Sequence, residues 1–171
     1  MGKKSRAKIN GHFFPWRAEM GNSPAMSRLR KNSEAVNVLS IFITKYTLPN
    51  QGKDLCVTYS EARPYMSSST FSKAKLWCMA FGFLHCTQFG RLERNASRYD
   101  LSEKWRHLSQ YPEKLDHIER ILEQHAQLLR TTARTIPEER WKAEGDWGTA
   151  PSPGVWKRQQ LRKIEREILH Q

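Results

Sequence analysis

The sequence predicts an α+β chain that is mostly α, with a three-helix core, one β-hairpin and a C-terminal helical extension. Three observations predict it. Apolar residues recur at spacings of three and four in four separate stretches, the period of helices that bury one face. The segment from Phe83 to Leu101 instead holds two β-prone runs either side of a polar loop. Between the stretches Gly, Pro, Asn and Ser cluster where the chain must reverse.

Taken in order, residues 1–10 form a basic flexible arm carrying Lys3, Lys4, Arg6 and Lys8, which either lies along phosphates or serves solubility. The following domain spans 11–108. It opens with His12-Phe13-Phe14-Pro15-Trp16, aromatic residues broken by a proline and better suited to strap a core than to stack on bases. Ser23-Pro24-Ala25 starts a short helix, with Ser as N-cap and Pro in the first turn. From Ser33, the residues Val36, Leu39, Ile43 and Tyr46 share a face of a core helix, which ends before Leu48-Pro49-Asn50-Gln51-Gly52. Leu55 to Tyr59 is apolar and β-prone and predicts a brief strand.

Tyr59 to Arg63 fits a short helix that Pro64 ends. Ser67, Ser68 and Ser69 then offer capping oxygens to a second helix, with Phe71, Ala74, Cys78 and Gly82 on its inner face. Ser68, Ser72, Lys73, Leu76 and Trp77 are placed elsewhere on its surface. Gly82 permits a left-handed helix end, Phe83 to Thr87 extends, and Ser97 to Leu101 returns. The hairpin tip between them carries Arg91, Arg94 and Asn95, with Arg98 at its base.

Beyond Trp105 the period is helical again. Leu115, Ile118, Ile121, Leu122, His125, Leu128 and Leu129 make an apolar stripe along an amphipathic helix over 111–134, to be covered by the chain's own core or by a second copy in a homodimer. A linker over 144–154, rich in Gly and Pro, leads to a basic helix over 155–171. Leu161, Ile164 and Ile168 give that helix its apolar side, and Lys157, Arg158, Arg162, Lys163 and Arg166 its charge.

In 171 residues, 29 Lys and Arg stand against 17 Asp and Glu, a formal charge of +12 that favours polyanionic partners. The three cysteines form no CxxC pair and suit reduced thiols rather than a disulfide framework. Cys78, His85 and Cys86 lack the paired spacing of a zinc site, so core packing is expected of them and no metal or cofactor. No apolar run is long enough to span a bilayer, no secretory signal follows the N-terminal cations, and no small-molecule ligand is predicted. GxSxG, P-loop and HExxH motifs are absent, and the carboxylates follow no catalytic spacing, so the chain is not expected to be an enzyme.

The order helix, strand, short helix, turn, Ser-capped helix and basic hairpin is that of a winged helix-turn-helix. A capped helix suits the major groove, where its first turn presents free backbone N–H groups to a phosphate. The residues Phe13-Phe14-Pro15-Trp16, Ser23-Pro24-Ala25, Ser33 to Tyr46, Tyr59-Ser60-Glu61-Ala62, Ser67 to Ala74, Gly82-Phe83-Leu84 and Ser97 to Trp105 together resemble small winged-helix proteins of bacterial plasmids, prophages and integrated mobile elements. That resemblance covers about Gly11 to Trp105. It implies double-stranded DNA binding, with Ser67 to Trp77 as recognition helix and Phe89 to Ser97 as wing, in a transcriptional regulator or replication-associated protein of the cytoplasm, on the nucleoid when bound. Ser67, Ser68, Ser69, Thr70, Ser72, Lys73, Trp77, Arg91, Arg94, Asn95 and Arg98, with the arm cations, are the expected contacts. Two departures from the family pattern are Pro64-Tyr65-Met66 in place of a glycine-containing turn, and Lys75 where an apolar residue is usual. The alternatives are a protein-interaction or dimerisation module without DNA readout, and an RNA-binding protein using exposed aromatics such as Trp77 or Phe89.

Overall fold

A computed structural model describes residues 18–46, 49–90, 96–131 and 152–169. Among these the chain is mostly helical, with one small antiparallel two-stranded sheet. The elements are α1 (Ala18–Gly21), α2 (Pro24–Leu29), α3 (Ser33–Thr44), α4 (Tyr59–Ala62), α5 (Ser68–Ala80), β1 (Leu84–Gln88), β2 (Arg98–Leu101), α6 (Lys104–Leu108), α7 (Pro112–Arg130) and α8 (Pro153–Leu169).

The helix starts follow their caps. Ser23 accepts from the Met26 N–H at 3.1 Å and donates to the Met20 carbonyl at 2.8 Å, which sets α2 directly behind α1. Asn32 does the same for α3 by accepting from Ala35 N–H at 3.1 Å. The α3 face differs from the expected one. Ala35, Val38, Leu39 and Phe42 are buried, at the i, i+3, i+4, i+7 positions, whereas Val36 and Ile43 are half-buried and Tyr46 lies beyond the helix end. The helix is apolar on several sides, and its packing against α5 selects the side centred on Phe42.

The loop after α3 is closed by Asn50, whose side chain donates to the Lys45 carbonyl at 3.0 Å and accepts from Gly52 N–H at 2.9 Å. The brief strand expected over Leu55 to Tyr59 reduces to one bridge. Leu55 exchanges both backbone hydrogen bonds with Tyr99, at 2.7 and 2.9 Å, and α4 already begins at Tyr59. β1 and β2 pair Leu84 with Leu101 and Cys86 with Tyr99, with a register shift before the Gln88–Arg98 pair.

α4 starts with a reciprocal cap: Thr58 Oγ1 accepts from Glu61 N–H at 3.3 Å, and Glu61 Oε2 accepts from Thr58 N–H at 2.8 Å. Lys45 also donates to Glu61. These hydrogen bonds, Lys45's first, lower the Glu61 carboxyl from 4.5 to about 2. A carboxyl lowered on folding adds stability above its unfolded pKa and loses it as the pH falls through the folded one. The destabilisation by Glu61→Ala, a few tenths to about 1 kcal/mol for so exposed a pair, should therefore shrink between pH 4.5 and about 2. Urea melts of both proteins across that window check it; a gap independent of pH would mean that the carboxylate is not what holds the cap.

α5 ends in a Schellman arrangement. Gly82 has φ +75, its N–H donates to Met79 O at 3.0 Å, and Phe83 N–H donates to Cys78 O at 2.9 Å. The apolar stripe of α7 faces its own chain. Leu115, Ile118, Ile121, Leu122 and His125 are buried, Leu128 and Leu129 half-buried, and the helix packs on α2, α6 and α8. Arg28 of α2 and Lys31 just after it both reach Glu119 across that contact, and Arg28 also pairs with Asp116. α7 ends at Arg130 rather than 134. α8 starts at Pro153, where the linker had been expected to run to 154, and it buries Trp156 and Ile168. Lys157 of α8 donates to the α7 end at Leu129 O, 3.3 Å away, and at Thr131 O.

Candidate nucleic-acid interface

The first turns of α5 stand out from the core on their polar side. Ser67 caps the helix, accepting from Thr70 N–H at 3.1 Å and sharing a 2.9 Å hydrogen bond with the Thr70 hydroxyl. Ser68, Ser69, Ser72 and Lys73 are exposed and Thr70 is half-buried. Ser72 is oriented by Tyr59 of α4, hydroxyl to hydroxyl at 3.0 Å, and the Tyr59 ring meets Phe71 edge-on. Below this face Phe71, Ala74 and Cys78 anchor the helix in the core.

Ser69, Ser72 and Lys73 line one groove together with Phe89, which follows β1 and is largely exposed. The start of α5 and the residue that follows β1 thus share one groove. Arg91, Arg94, Asn95 and the arm cations Lys3, Lys4, Arg6 and Lys8 lie outside the described residues, as does the aromatic cluster at 12–16. Arg98 is described, and its guanidinium pairs with Asp54 at 2.9 Å, so a partner anion would compete with that carboxylate.

Three placements differ from expectation. Leu76 is buried rather than on the surface, because the flank of α5 that carries it faces the same cavity as His125 and Leu129 of α7 and Glu165 of α8. Trp77 is half-buried against Phe81, 5.8 Å between ring centroids, and packs on the core instead of standing free. Of the residues weighed for a metal and assigned to the core, Cys78 is fully buried, Cys86 half-buried and His85 exposed. The Cys78 thiol donates to Ala35 O at 3.2 Å, and burial pushes it far up from its ordinary pKa. Burial also raises Cys86, with hydrogen bonds to Gln88 and Tyr99 and the charge of Lys75 pulling the other way.

Lys75 is the feature that sequence reasoning flagged only as a departure from pattern. It points inward with Nζ 3.1 Å from Tyr99 Oη, and lies 4.6 Å from the centroid of Phe71, 5.2 Å from Tyr99 and 5.4 Å from Tyr59. Its signal in the sequence was a cation four residues after Phe71, on the apolar side of a helix. α8, which packs on α5 and α7, exposes Arg158, Arg162, Lys163 and Arg166.

Among the described residues no helix is long and apolar enough to cross a membrane, and no three His, Cys, Asp or Glu side chains converge as metal ligands. No protein-family model, curated protein or solved structure matches the chain.

Proposed function

We propose that the chain is a winged helix-turn-helix protein that binds double-stranded DNA, with α3, α4 and α5 as the helical core, α5 as the recognition helix and the β1–β2 hairpin as the wing. The observation that carries the reading is the capped, exposed start of α5, where Ser68, Ser69, Ser72 and Lys73 form a hydroxyl-rich cationic face beside the hairpin. Its support is physical. Hydroxyls and N-terminal backbone N–H groups bind phosphate, lysine adds charge, and an α-helix matches the width of the major groove. The net charge of +12 supplies the long-range attraction. On this reading the chain is a binding protein rather than an enzyme, and it serves transcriptional control or replication of a mobile element in the bacterial cytoplasm.

The test is binding of the purified protein to random duplex DNA and to structured RNA over a range of salt. Duplex binding should be tighter and should fall steeply with salt. Replacing both Arg91 and Arg94 by alanine should weaken it and flatten the salt slope by about two phosphate equivalents, and Lys73→Ala by about one. Unchanged affinity and slope in both variants would remove α5 and the hairpin from the interface. Preference for RNA, or binding to neither, would favour the RNA-binding or protein-interaction alternative instead.

A further inference from the structure

The groove that Ser69, Ser72, Lys73 and Phe89 line encloses about 380 Å³, and its wall also carries Lys75, Leu76, Met79 and Leu129. Its size falls within the range of small-molecule sites, and most of its wall is apolar. Lys75 is 9% exposed, so its ammonium is removed from bulk water. An ammonium has three donors. The described partners supply one acceptor, Tyr99 Oη, and three ring faces, and no carboxylate among the described residues pairs with it. Taking a cation out of water without an anion is costly, and ring faces offset only part of the loss. The one described carboxylate on the cavity wall, Glu165, is engaged by His125 at 3.4 Å.

We propose that this cavity is a binding site for a small organic anion, a carboxylate with a compact apolar or aromatic body. The carboxylate meets Lys75, on a wall that also carries Ser72 and Lys73, and the body lies against Leu76, Met79, Phe89 and Leu129. The charge requirement comes from the buried ammonium and the apolar requirement from the wall, so neither an inorganic anion nor a neutral hydrocarbon satisfies both. The assignment does not rest on DNA binding.

Naphthoate and the neutral naphthalenemethanol share one ring body and separate the two requirements. Titration of each into the full chain by calorimetry should give saturable binding of naphthoate, at least tenfold tighter than that of the alcohol. Lys75→Met keeps an unbranched apolar chain in place and should weaken naphthoate at least tenfold, with less than a twofold effect on the alcohol. Leu129→Trp should block the cavity from the α7 side and abolish binding of both without touching Lys75. Circular dichroism of each variant separates lost binding from lost fold. The proposal is overturned if naphthoate does not saturate, if the alcohol binds as well as the acid, or if either folded variant binds naphthoate like the parent.

Discussion

Phe42→Ala should destabilise the protein by about 3–5 kcal/mol, the range for emptying a fully buried phenylalanine position. Phe42 is completely buried on the α3 face that packs on α5, and its ring meets Tyr99 edge-on with centroids 5.1 Å apart. The cost should lie towards the upper part of that range, because the cavity cannot easily collapse. Tyr99 is the neighbour best placed to move in, yet its backbone is fixed from both sides, to Leu55 by the bridge and to Cys86 by the sheet. Its hydroxyl is held as well, by Lys75. Urea denaturation should show a lower midpoint with an unchanged slope. A loss below about 1.5 kcal/mol would mean that α3 and the sheet can close over the gap, against the packing described.

Gly82→Ala should cost roughly 3 kcal/mol or more, for a different reason. At φ +75 an L side chain is already strained by about 1–3 kcal/mol. In addition, a Cβ at this position would lie 2.7 Å from the Trp105 backbone nitrogen and 2.9 Å from the Lys104 carbonyl carbon. Backbone cannot rotate out of the way. The Trp105 N–H donates to Gly82 O at 3.2 Å and Ser102 N–H donates to Phe83 O at 2.9 Å, so any shift also disturbs the junction of α5, β2 and α6. Gly52→Ala is the control. Its φ is +77, but the nearest atom is the Leu101 side chain at 2.9 Å, which can move aside. Thermal melts should rank Gly82→Ala well below Gly52→Ala, and equal losses would reduce both effects to φ strain alone.

What could be read in advance was local chemistry. Ser23, Ser67 and Gly82 announced helix ends because each satisfies orphan backbone groups through its own atoms, and the structure places all three where those atoms act. The face of α3 was misassigned because Val36, Ile41 and Ile43 are as apolar as Val38 and Phe42, so period alone cannot choose among them. α1 and α6 are too short to display a period at all. Leu76 looked like a surface residue because what lies opposite it comes from α7 and α8, far along the chain. Lys75 drew notice only as an exception. Its cage joins Tyr59, Phe71 and Tyr99 from three elements, a convergence that no local spacing encodes.

The attachment of α8 carries a further consequence. Lys157 holds the carbonyl end of α7, Ile168 reaches the core cluster near α5, and the segment 132–151 joins the two helices covalently. Docking of α8 is therefore unimolecular, independent of the amount of protein present. Local opening of α8 with α3, α5 and the sheet still folded should show as amide exchange in α8 ahead of that in α5. Cutting the chain within 132–151 turns the same contact into a bimolecular one, and dilution should then release α8 and bare the flank of α7 that it covers.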